Sequence, residues 1–77
     1  MNVNKLLFKS KNQEEVKTFE IGQMLSNENF SNMNHEIRIV NININAKTGF
    51  IEIFTDSDNF LWYSLDDIQL LSFISNK

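Results

Sequence analysis

Cysteine and proline are both missing from these 77 residues, glycine occurs only at 22 and 49, and His35 is the one histidine. Without cysteine there is no disulfide, and a lone imidazole makes no ordinary zinc site, so neither staple of small folds is available. A chain this short sits near the minimum size at which burial offsets conformational entropy. Its stability must rest on seven Phe, nine Ile, seven Leu and Trp62, or on self-association. Such a core spares no side chains to wall a deep catalytic cavity. The expectation is a single domain over 1–77, not an enzyme, with no cofactor.

The candidates for chemistry are few. His35 and Glu36 are adjacent, but neighbouring strand residues point to opposite faces and share no site. No Ser–His–acid or Cys–His set can be built around one histidine. Asp56-Ser57-Asp58-Asn59 opens like a calcium loop, yet Leu61 and Asp67 stand where such a loop needs Gly and a bidentate Glu. A polar hairpin turn is the better reading, and no metal is expected. Long apolar runs are absent too. Nothing approaches the ~20 residues of a membrane span, and MNVNKLLFKS lacks the ~7–15 apolar residues of a signal peptide. A soluble, cytoplasmic chain without a membrane partner is expected.

Positive charge is scarce where it would matter. Residues 1–25 carry four Lys against three Glu, whereas residues 26–77 carry three basic residues against seven acids. No basic residue falls between Thr48 and Asn76, while Glu52, Asp56, Asp58, Asp66 and Asp67 all do. Phosphate contacts need Lys and Arg, so direct nucleic-acid binding is disfavoured. Twelve Asn, nine Ile, seven Phe and six Lys all have AT-rich codons. The composition suits a low-GC bacterium or its phages and mobile elements, and the asparagines need no functional reading.

What is present is strand pattern. In His35–Asn45, Ile37 and Ile39 fall on one phase and Val40, Ile42 and Ile44 on the other. A two-residue period cannot change phase without a bulge or bend, which is placed near Ile39-Val40. Ala46–Gly49 is a turn with Gly49 free to take positive φ. Phe50–Thr55 is a second strand, Thr55–Asn59 a second turn, and Phe60–Ser64 a third strand, giving an antiparallel meander. Beyond it the pattern is open. Ser64 can cap a helix in which Leu65, Ile68, Leu71 and Ile74 keep an i+3 spacing, or a 3₁₀ turn at 65–67 can lead into a strand from Ile68 to Phe73. Upstream, a strand is expected over about 18–25, and residues 3–9 pair with it across 10–15 or, alternatively, residues 1–17 include a helix capped near Ser10 or Asn12. Ser26–Asn34 reads as a loop. The fold class is mostly β, a small antiparallel barrel or meander, with a short C-terminal helix as the α+β alternative.

The order from Phe19 to Phe73, with Phe19-Glu20-Ile21-Gly22, a polar loop, a long bent strand and then G-F-I-E-I-F-T-D-S-D-N-F-L-W-Y-S-L-D-D-I-Q-L-L, resembles the small SH3-like barrels of the Tudor and KOW kind. That resemblance implies a binding module that uses aromatic and loop surfaces, and implies no catalysis.

Two binding surfaces follow. Ile51 and Ile53 should line the core, completed by Leu61 and Tyr63 or their alternates, which leaves Phe50, Phe54 and one of Trp62 or Tyr63 partly exposed beside Glu52. Phe50, Phe54, Phe60, Trp62 and Tyr63 are therefore the candidate aromatic patch for a protein partner or for homo-oligomerisation. The alternative is that both faces are buried. A second function class uses Glu52, Asp56, Asp58, Asp66 and Asp67 as an acidic patch that mimics nucleic acid and blocks a host nucleic-acid-binding protein.

Overall fold

Alternation with a two-residue period dominates the chain, and in the computed structural model, described for residues 1–25, 37–57 and 60–75, it produces strands almost throughout. They are β1 (Asn2–Ser10), β2 (Val16–Glu20), β3 (Met24–Leu25), β4 (Ile37–Asn45), β5 (Phe50–Thr55), β6 (Phe60–Ser64) and β7 (Ile68–Ser75), with one 3₁₀ turn, Leu65–Asp67, between the last two. The fold is mostly β and wholly antiparallel, an open seven-stranded sheet. The loop expected at 26–34, His35 and Glu36 lie outside the described residues.

β4, β5 and β6 form the meander. β1 is the hub. Lys5 to Lys9 pair with β2 along one edge and with β7 along the other, and Asn2 and Val3 reach β4. The expected strand over 18–25 is interrupted at Ile21–Gln23, because this segment changes partners from β1 to β4. The Ile21 N–H donates to the Asn4 carbonyl, 3.0 Å, and the Gly22 N–H to that of Ile39, 2.8 Å. Gly22 makes the swerve at φ 93°.

β4 supplies Ile37, Ile39, Ile42 and Ile44 to the core, from both of its phases. The phase change is a bulge: the pairing with β5 shifts between Ile39 and Asn41, and Val40 is left exposed. Val3, Leu6 and Phe8 of β1, Ile51 and Ile53 of β5, Phe19 and Leu25 complete the buried set. The β4–β5 turn closes with the Gly49 N–H on the Asn45 carbonyl, 2.9 Å, and Gly49 at φ 81°. The Asn45 side-chain oxygen accepts from the Lys47 and Thr48 N–H groups, as turn-forming Asn does.

After β6 the chain takes the turn-and-strand course, and the C-terminal helix of the α+β alternative does not form. The Ser64 hydroxyl accepts the Asp66 N–H but caps only one turn, since Ile68 is already extended at φ −96°, ψ 127°. Pairing along β1 satisfies the backbone groups of residues 68–75 that face it and wins over an isolated amphipathic helix, which gains little by itself. β7 runs to Ser75, two residues beyond the expected end.

Ile53 is fully buried, so Ile53→Ala should cost about 2–5 kcal/mol. That is a large share of the roughly 4–12 kcal/mol available to a domain of this length. At Gly49 an added Cβ would meet nothing within 4 Å, so Gly49→Ala should cost only the backbone strain, about 1–2 kcal/mol. Urea unfolding midpoints check both.

Candidate functional site

The register of the meander decides which aromatic rings face out. Ile51 stands opposite Tyr63 and Ile53 opposite Leu61, on the core side. The other side is a grid of rows running across β4, β5 and β6. Asn41, Phe54 and Phe60 make one row; Asn43, Glu52 and Trp62 the next; Asn45, Phe50 and Ser64 the third. Trp62 is 58% exposed and Phe60 51%, with Phe54 exposed and Phe50 half-buried. The rings are organised in two pairs. Phe50 and Trp62 meet edge to face at 5.1 Å between centroids, and Phe54 and Phe60 stack at 6.1 Å. Such geometries stabilise aromatic pairs beyond their burial.

The sequence left Trp62 and Tyr63 as alternatives, and Trp62 is the exposed one. Tyr63 does not join the patch. It points inward, its ring 4.8 Å from Phe8 and 5.9 Å from Phe19. Burial raises its phenol pKa above the ordinary 10.0. Four of the five candidate aromatics thus share one outer face.

At the centre of that face Glu52 accepts a hydrogen bond from the Asn43 side-chain amide, 3.0 Å. Asn41, Asn43 and Asn45 border the rings on the outward phase of β4. Composition alone explained these asparagines away. Their alternation with Ile42 and Ile44 was the signal that places amide groups beside the aromatics.

The candidate acids are dispersed. Asp56 lies at the β5–β6 turn, where its carboxylate accepts the Arg38 N–H at 3.1 Å while its own N–H donates to the Arg38 carbonyl. Asp66 and Asp67 lie past the opposite end of β6. Five residues of strand separate the two ends by roughly 16 Å. The Asp67 carbonyl accepts the Lys11 N–H, and Asp67 lines an open polar hollow of about 270 Å³ with Ser10, Lys11, Asn12 and Gln13. Asp58 lies outside the described residues. Among the described residues no three acidic or imidazole groups gather as metal ligands, and no helix is long and apolar enough to cross a membrane.

Comparison of the chain with family models, with curated proteins and with solved structures finds no match.

The inward phenol makes a pH prediction. Tyr63 stays neutral in the folded chain to a higher pH than in the unfolded one, so between those two values the unfolded state binds fewer protons. The associated stability is whole below pH 10 and falls as pH rises above it. Urea midpoints at about pH 9 and about pH 11 should show a smaller alkaline loss for Tyr63→Phe than for the wild type.

Proposed function

We propose that this domain is a non-enzymatic protein-binding module whose contact surface is the outer face of β5 and β6, anchored by Phe54, Phe60 and Trp62. The carrying observation is the exposure of these rings, pre-organised in pairs on hydrogen-bonded strands and flanked by side-chain amides. Rigid aromatic anchors gain contact area at low entropic cost, and polar groups at their rim supply orientation. Glu52 in the middle of the strip suits a basic side chain of the partner, whose cation would also meet the faces of Trp62 and Phe50. The meander, the 3₁₀ turn and the pairing of the last strand with the first support reading the fold as an SH3-like barrel. The AT-rich composition supports an origin in a low-GC bacterium or one of its mobile elements.

Nucleic-acid mimicry has less support. A mimic presents carboxylates in a row at phosphate spacing, whereas Asp56 and the Asp66-Asp67 pair flank a five-residue strand at opposite ends.

Immobilised protein, exposed to nuclease-treated lysate of the source organism, tests the reading. A protein partner should stay bound through a wash at about 1 M salt, where surface charge pairs are screened. Trp62→Ala should release it, and Glu52→Gln should weaken it about tenfold. Trp62 is also the only tryptophan, so partner binding should shift its emission to the blue and protect it from acrylamide. A partner that elutes with salt and tolerates Trp62→Ala, but is lost with Asp56→Asn, Asp66→Asn and Asp67→Asn combined, overturns the aromatic reading in favour of mimicry.

A further inference from the structure

β7 has one edge on β1 and, among the described residues, nothing on the other. Native edge strands are usually protected by charge, proline or brevity. This one is eight residues long and holds no charged residue and no proline. Both of its faces are apolar and open. Leu70 and Ile74, 60% and 58% exposed, lie on the outer side beside Lys9 and Lys5, and Leu71 and Phe73 lie beside Phe8 and Leu6 at the rim of the core.

The polarity of this strand is self-complementary. A two-fold axis normal to a sheet keeps each face on its own side, so an antiparallel pair of identical strands must centre on a single residue. Gln69-Leu70-Leu71-Ser72-Phe73-Ile74-Ser75 is a palindrome in polarity about Ser72. Centred there, Leu70 faces Ile74 of the second copy, Leu71 faces Phe73, Ser72 faces Ser72, and Gln69 faces Ser75. Centring on Leu71 instead sets Gln69 against Phe73 and Leu70 against Ser72, and centring on Phe73 sets Ser72 against Ile74. Only the Ser72 register matches apolar with apolar at every position. The pairing with β1 is regular from Leu70 to Ile74, so the stretch that would meet the second copy is unbroken.

We infer that β7 is the edge through which two copies of this chain join, as an antiparallel β7–β7 pair centred on Ser72. The other strands at the ends of the sheet fit this role less well: β2 carries Lys17 and Glu20 within five residues, the kind of charge that protects native edges, and β6 is flanked by acids. β6 has Asp56 at one end and Asp66 and Asp67 at the other, so two-fold pairing there would set like charges against each other.

The absence of cysteine makes the test direct. Sedimentation equilibrium of the full chain should give twice the 9.0 kDa chain mass. Ser72→Cys should cross-link to a dimer under mild oxidation, whereas Leu70→Cys, displaced from its symmetry mate by four residues, should not. Leu70→Lys should weaken the dimer about tenfold or more, with circular dichroism reporting that the exposed substitution leaves the strands formed. Adding Ile74→Glu, which the register places across from position 70 of the other copy, should restore the dimer. A mass of 9.0 kDa at about 100 µM overturns the proposal. So does a dimer that cross-links through Trp62→Cys and not through Ser72→Cys, or a Leu70→Lys defect that Ile74→Glu fails to rescue.

Discussion

A strand that buries side chains on both of its phases has to break its own alternation, and β4 does so once, at Val40. With the bulge, Ile37 and Ile39 before it and Ile42 and Ile44 after it all reach one interior. The same break bends the strand enough for its first part to pair with β3 and its last part with β1. The outer face depends on it as well. Beyond the bulge the phase of β4 fixes the register of β5, and that register sends Ile51 and Ile53 inward and Phe50, Glu52 and Phe54 outward. A slip of one residue would exchange these sets, burying a carboxylate and exposing two isoleucines. The aromatic strip is thus a consequence of where the core closes.

β1 is the complementary constraint. It lends one edge to β2 and β4 and the other to β7, so it holds both halves of the sheet together. Among the described residues, seven of the eleven large apolar side chains left exposed lie at the two margins of this sheet: Phe54, Phe60 and Trp62 on β5 and β6, and Leu70, Leu71, Phe73 and Ile74 on β7.

The meander was legible because alternation, the Gly49 turn and the polar 55–59 turn all pointed to it, and the phase conflict at Ile39-Val40 located the bulge. The orientation of Trp62 and Tyr63 was not, because Phe60, Leu61, Trp62 and Tyr63 are all apolar enough to be buried; only their register against Ile51 and Ile53 chooses between them. Residues 65–74 satisfied helical and strand spacing together, and it was the distant β1, invisible to any local window, that selected the strand. The acids looked like a patch because positions 52–67 are close in sequence, yet a hairpin strand carries its two ends apart. The exposure of Leu70 and Ile74 ran against hydropathy, which places such residues inside.

The two margins differ in their chemistry. The β5–β6 face is bordered by Asn41, Asn43 and Asn45 and has acids at both ends, so it repels a copy of itself and accommodates a surface of opposite charge. β7 carries no charge and repeats its polarity about one residue, so its best complement is itself. Pairing through β7 would also bury apolar surface that a 77-residue core leaves in water, coupling folding stability to association. It would set two aromatic strips on the outer margins of one continuous sheet, where a partner with two binding sites gains avidity without any new contact. Self-association and recognition then occupy opposite margins and do not compete for the same rings.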